Sequence, residues 1–158
     1  FKVYHPLAFY AAYFSIRAKA FDLRIMTGDL KTQMTEFNRI KALDRAASPK
    51  DKDLMSALEV SMEMYQRGYR FVNVDIQHSE ARRFSIKDGA LLPPFLAIDS
   101  LGETVADAIV AEREERPFTS LKDLQRRCKV SNTIIDLMKE LKCCGELPED
   151  EQMSLFGA

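Results

Sequence analysis

A chain of 158 residues is long enough for one domain or two small ones. Its balance of 46% apolar and 30% charged residues excludes wholesale disorder, and no apolar run approaches the roughly 18 residues of a membrane-spanning helix. The net charge of −1 is uneven: residues 1–48 hold eight Lys/Arg against four Asp/Glu, and residues 131–158 two Lys against six Asp/Glu, which excludes a bulk positive field and leaves backbone groups and local cations for any contact with nucleic acid.

The first residues carry no charged start, apolar core and cleavage site, and no Met begins the chain, so it reads as a piece of something longer without a signal peptide. Pro6 suits a first helical position and predicts a helix over 7–21. Two apolar stripes run along it: Leu7, Tyr10, Phe14, Ala18 and Phe21 on one, Phe9, Tyr13, Ile16 and Ala20 on the other. A helix so patterned is expected to be buried on both sides. After Gly28 a second helix is predicted over 30–47, with Leu30, Met34, Phe37, Ile40 or Lys41, Leu43 and Ala47 inward. Ser48, Pro49 and Asp51 predict a capped start for a third helix, which carries Leu54, Leu58, Met62 and Tyr65 and stops at Gly68.

The period then changes to two. Val72, Val74 and Ile76 share a face and predict a strand over 69–76. Residues 84–92 read as a hairpin turning at Asp88-Gly89. Beyond Pro93-Pro94 the pattern is helical throughout, in short pieces: one turn over 95–98, a tight loop at Asp99-Ser100-Leu101-Gly102, and a helix over 103–115. Two more helices follow, capped by Ser120 and Ser131. Residues 148–158 have no amphipathic period and predict a disordered tail. The fold class expected is mainly α with a small β element, divided 1–92, 93–147 and 148–158.

One constellation carries chemistry. An apolar residue, Ile98, precedes a tight turn ending in Gly102, and a helix with small residues Ala106 and Ala108 follows. This is a helix-hairpin-helix pattern. Its turn and helix N-terminus leave backbone N–H groups of Ser100, Leu101, Gly102, Glu103 and Thr104 to hold a DNA phosphate, independently of sequence. The usual form has Gly where this chain has Ser100; a positive φ there costs about 1 kcal/mol. Arg126 and Arg127 on the next helix are candidates for further phosphate contacts.

A second signal is Gln152-Met153-Ser154-Leu155-Phe156, an apolar pair on an acidic end that suits a docking peptide. Catalysis finds no support: there are no paired carboxylates in an apolar setting, no nucleophile–His set and no phosphate loop. His5 and His78 are read as structural. Cys128, Cys143 and Cys144 are odd in number and have no zinc-like spacing, so no metal site is assigned and reduced cysteines in a cytoplasmic protein are expected.

These residues resemble the C-terminal part of the PolC-type family of bacterial replicative DNA polymerases. The resemblance runs through essentially the whole chain. It is carried by His5-Pro6-Leu7-Ala8-Phe9-Tyr10-Ala11-Ala12-Tyr13-Phe14, by Leu58-Glu59-Val60-Ser61-Met62-Glu63-Met64 with Arg67-Gly68-Tyr69, and by Leu92-Pro93-Pro94-Phe95. Leu101-Gly102 with Val105-Ala106, Phe118-Thr119-Ser120, Leu147-Pro148-Glu149 and the final pentapeptide continue it.

The family implies that residues 1–92 are a distal fingers module and 93–147 a tandem helix-hairpin-helix module gripping duplex DNA. It also implies that Gln152, Met153, Ser154, Leu155 and Phe156 dock the bacterial sliding clamp, with Met153 where Leu is commoner. The parent would be a DNA-directed DNA polymerase, a nucleotidyltransferase with a 3′–5′ exonuclease, using Mg²⁺ and working with other replisome subunits at the nucleoid in the cytoplasm, away from membranes. The catalytic palm lies outside this chain, which by itself should catalyse nothing. The alternatives are a stand-alone helix-hairpin-helix adaptor and a DNA-repair subunit tethered to the clamp.

Overall fold

Pro6 supplies a pre-set φ, and helix α1 runs Pro6–Ile16. The computed structural model describes residues 1–150. α1 is shorter than the sequence pattern predicts. Arg17 leaves helical geometry, a 3₁₀ turn follows at Ala18–Ala20, and α2 is a single turn, Leu23–Met26, capped by Asp22. Only one of its two stripes is buried: Tyr10, Phe14, Ala18 and Phe21 enter the core, while Ile16 is exposed. The β-hairpin packs beneath one side of α1.

α3 spans Leu30–Leu43 and a 3₁₀ turn at Asp44–Ala46 ends it. Its inward face is rotated from the expected stripe. Met34 and Leu43 are exposed, whereas Gln33 and Ile40 are buried. Gln33 holds that register by hydrogen bonding. Its Nε2 donates to the Met26 carbonyl at 3.2 Å, and its Oε1 accepts from Ser61 Oγ at 2.6 Å. Ser61 lies on α4, Pro49–Gln66, which starts with the expected reciprocal cap: Ser48 Oγ accepts from the Asp51 amide and Asp51 accepts from the Ser48 amide. Gly68 at φ +90° then reverses the chain.

The strand expected over 69–76 does not form. The segment is divided between partners and makes only one bridge, Phe71 to Leu91. The Val72 amide donates to Leu91, the Ile76 amide donates to Cys143, and the Asn73 side chain donates to the Leu141 carbonyl. Phe71, Val74 and Ile76 are nevertheless buried. The hairpin is present: β1, Ser85–Lys87, pairs antiparallel with β2, Ala90–Leu92. Asp88 (φ +51°) and Gly89 (φ +75°) both take the left-handed geometry its two-residue turn requires. At the centre, Phe14, Phe21, Phe71 and Phe84 form a closed aromatic set, with every ring pair 4.8–6.3 Å apart.

Three helices complete the chain: α5, Glu103–Glu115; α6, Leu121–Cys128; and α7, Asn132–Glu140. The fold class is thus mainly α with a small β element, and the apolar core runs continuously from Tyr10 to Cys144. Residues 148–150, expected as the start of a disordered tail, are docked instead. The carbonyls of Pro148 and Glu149 accept from the Leu121 and Lys122 amides at 2.8 and 3.1 Å. Lys139 pairs with Glu149, and Lys122 with Asp150. They occupy the first-turn donors of α6, which have no intrahelical acceptor. The predicted docking residues Gln152, Met153, Ser154, Leu155 and Phe156 lie outside the described residues. No helix among the described residues is long and apolar enough to cross a membrane.

Candidate nucleic-acid interface

The loop before α5 is held from behind. The amides of Phe95 and Leu96 donate to the carbonyls of Glu80 and Ala81 at 2.9 and 3.0 Å, which fixes the 3₁₀ turn Phe95–Ala97. Ser79 is fully buried; its hydroxyl donates to the Pro93 carbonyl and accepts from the Asp75 amide. Arg113, near the end of α5, reaches back to the carbonyls of Ile76 and Ser79. Phe95, Ile98, Leu101, Ala106 and Ile109 are all buried beneath the turn.

On this base the turn closes when the Leu101 amide donates to the Ile98 carbonyl at 3.1 Å. Ser100 stands third in it, at φ +66°, the left-handed geometry that Gly would adopt without strain. Gly102 is the N-cap of α5, in extended geometry and without a side chain to accept a bond. A Cβ placed on it would meet nothing within 4 Å. The first-turn amides of Glu103, Thr104 and Val105 therefore face outward with no capping acceptor. Leu101 is buried; Ser100, Gly102, Glu103 and Thr104 are exposed. The carboxylates near these donors are partly neutralised by Arg82, which pairs with Asp107 at 2.6 Å and Glu103 at 3.5 Å.

A related turn lies between α6 and α7, closed differently, by the Val130 amide donating to the Gln125 carbonyl at 3.3 Å. Lys129 (φ +56°) takes the place of Ser100, buried Val130 that of Leu101, and Ser131 that of Gly102 as N-cap. Here Ser131 Oγ accepts from the Ile134 amide, so the amides of Asn132 and Thr133 are the first-turn donors left. From the sequence alone Ser131 reads as a cap only. The repeat of a left-handed position, a buried apolar residue and a cap was the available signal, hidden because neither Lys129 nor Ser131 is Gly.

The two arginines differ. Arg126 is exposed and pairs with Asp123 at 2.7 Å. Arg127 is a brace: its guanidinium contacts Asp123 and Glu112, donates to the carbonyls of Glu112 and Arg116, and lies 4.7 Å from the Phe118 ring. A phosphate contact expected of Arg127 would have to displace these acceptors.

No three His, Cys, Asp or Glu side chains converge among the described residues in a way that could hold a metal ion. The three cysteines are buried thiols, and burial pushes that of Cys128 up to about 11. His78 is held by Asp75 at 2.8 Å.

The helix-hairpin-helix motif matches residues 68–152, more than half of the chain. The chain belongs to the helix-hairpin-helix family. The turns at 98–102 and 128–131 both lie within the matched residues. Along 99% of its length it is also similar to proteins named DNA polymerase III PolC-type: 44% identical to that of Caldanaerobacter subterraneus subsp. tengcongensis, 46% to that of Streptococcus suis and 44% to that of Streptococcus pyogenes serotype M12. The chain spans 11% of the length of each of these relatives.

Proposed function

We propose that the chain is the duplex-gripping part of a PolC-type replicative DNA polymerase. The observation that carries this is the hairpin at Ser100, Leu101 and Gly102, which presents the uncapped first turn of α5 from a rigid base. The amides of Glu103, Thr104 and Val105, at the positive end of the helix dipole, donate to one backbone phosphate. The second hairpin, with Lys129 at its turn, and exposed Arg126 supply further phosphate contacts. Donation from main-chain N–H to phosphate carries no sequence information, so binding is sequence-independent. With so few cations on the turns, the isolated chain binds duplex at about 10⁻⁴–10⁻⁶ M in physiological salt. In this reading residues 93–147 hold the duplex and residues 1–92 support them as distal fingers.

The relatives named DNA polymerase III PolC-type support a place in a DNA polymerase; Mg²⁺ as the metal of its nucleotidyl transfer is part of the proposal. The ligands of that metal, like a proofreading exonuclease, belong to other parts of such a protein. Sliding-clamp docking by Gln152-Met153-Ser154-Leu155-Phe156 and contact with further replisome subunits, in the cytoplasm, complete the proposal.

Gly102→Asp tests it. Aspartate is an N-cap residue at least as good as Gly, and there is room for its side chain. It should leave the melting temperature unchanged or raised, while its carboxylate takes an α5 amide and repels phosphate. Duplex affinity, measured by fluorescence anisotropy, should fall at least tenfold. Unchanged affinity in the folded variant would assign binding to another surface.

A further inference from the structure

A groove of about 520 Å³ starts at the first hairpin: Asp99, Ser100, Leu101 and Gly102 form one wall, and the front of the chain forms the other, with Lys19, Arg24 and Lys50 along it. At Leu23, Arg24 and Leu141 it meets a second depression, which Arg70 and Lys142 line. Two halves of the sequence thus contribute to one continuous surface.

Its cations are mostly unpaired. Elsewhere among the described residues a number of cations are neutralised, Lys2 with Glu63, Arg39 with Glu36, Lys87 with Asp75, Lys122 with Asp150 and Lys139 with Glu149, while others such as Lys31, Lys41 and Lys52 stand singly on exposed helix faces rather than along a groove. In the groove, Arg24 pairs with Glu140 at 2.9 Å. Lys19, Lys50, Arg70 and Lys142 form no ion pair among the described residues. The remaining carboxylates that line it are Asp22, occupied in capping α2 through the Ile25 amide, and Asp99. The aromatic side chains in the walls, Phe21 and Phe71, are buried, so no exposed ring offers a base a stacking platform. Unpaired cations without stacking rings suit the phosphate backbone of a duplex rather than the bases of a single strand.

We infer that this groove carries the duplex backbone onward from the first hairpin, across Lys19 and Lys50 to Arg70 and Lys142. The inference rests on the duplex-binding reading above and extends it to a part of the chain outside both hairpins. DNA offers a charge about every 1.7 Å of its axis, so a strand pinned at the α5 amides brings its neighbouring phosphates along whichever wall is positive.

The test uses the whole chain, a mixed-sequence duplex and a single strand of equal length, with affinities taken across a salt series. Lys19→Gln with Lys50→Gln, and Arg70→Gln with Lys142→Gln, are compared with a control pair on exposed α3, Lys31→Gln with Lys41→Gln. Each groove pair should weaken duplex binding about tenfold at low salt and reduce the slope of log K against log salt by about two. The control pair should change affinity less than twofold. Circular dichroism melts establish that each variant is folded; a groove pair that unfolds is replaced by its single Lys19→Gln or Arg70→Gln change, for which the slope should drop by about one. Groove variants that match the control overturn the inference while leaving the hairpin reading standing, provided Gly102→Asp still weakens duplex binding at least tenfold. A wild-type chain that does not bind duplex overturns both. A loss confined to the single strand would overturn the duplex assignment.

Discussion

Arg127 meets Asp123 at 3.1 Å one turn away on α6, and both side chains are buried, with side-chain exposures of 9% and 0%. Asp123 also accepts from the Thr119 amide and lies within 3.5 Å of Arg116 and Arg126. Burial works against its charge. The Thr119 amide and the Arg127 guanidinium outweigh that and hold the carboxyl below its ordinary range. Because the folded value is depressed, the stabilisation is present above the unfolded value near 3.9 and is lost as pH falls through the folded one. Asp123→Asn should therefore cost about 3 kcal/mol at pH 7, the scale for breaking a buried pair. The difference from wild type should shrink below about pH 4. Urea melts at pH 7 and pH 3 check both; an equal difference at the two pH values would show that the charge of Asp123 does not matter.

Arg82 reaches from the loop before β1 to Asp107 and Glu103 on α5. These pairs are exposed, so their contribution to stability is small, at most about 1 kcal/mol. Their effect on the hairpin is electrostatic. Glu103 belongs to the first turn whose amides are proposed to hold phosphate, and its carboxylate opposes that unless neutralised. Arg82→Gln should leave the thermal melt within about 2 °C while weakening duplex binding several-fold at low salt, and the gap should close as salt rises. A gap that persists undiminished at high salt would point to a lost direct contact instead.

Much of this architecture is legible in the sequence where short-range chemistry decides it. The Ser48–Asp51 cap, the Asp88-Gly89 turn, the start of α5 and the caps at Ser120 and Ser131 are all set by residues within four positions of one another. The errors lie where a distant partner decides. Gln33 displaces Met34 from the inward face because Ser61 and the Met26 carbonyl await it across the α3–α4 pair. Residues 69–76 have the alternation of a strand, yet their donors are shared between Leu91 and Cys143. Pro148 and Glu149 look like a polar tail and are held by α6 amides. The site was legible in the same measure: the first hairpin was visible through Gly102, whereas the cationic groove joins Lys19 to Lys142, which no local pattern connects.

Ser100 offers a separation of strain from binding. Its φ of +66° costs about 1 kcal/mol for a residue with a Cβ. Ser100→Gly removes that strain, and the added freedom of the unfolded chain offsets part of the gain. The variant should be stabilised by about 0.5 kcal/mol or less and bind duplex as well as wild type, because the proposed phosphate donors are main-chain groups. Chemical denaturation and anisotropy measure the two quantities. Weaker binding by the Gly variant would mean that the Ser100 hydroxyl itself touches DNA.

The final pentapeptide gives a prediction argued first from its sequence chemistry. Leu155 and Phe156 are adjacent apolar residues following Glu149, Asp150 and Glu151, and a sliding clamp is their proposed partner. Burying each side chain in a pocket gains about 1.5–3 kcal/mol. Together they supply roughly half of a micromolar affinity, about −8 kcal/mol. In that proposal the Gln152 amide would fix register, and the unbranched Met153 would adapt to a groove that more often meets Leu. Docking of Pro148 and Glu149 against α6 shortens the tether to a few residues, so clamp and duplex would be held at close range and high effective concentration. Leu155→Ala with Phe156→Ala should abolish binding to purified clamp in a calorimetric titration, leaving the melt and the duplex affinity of the chain unchanged. Clamp binding undiminished in that double variant would remove the pentapeptide from the interface.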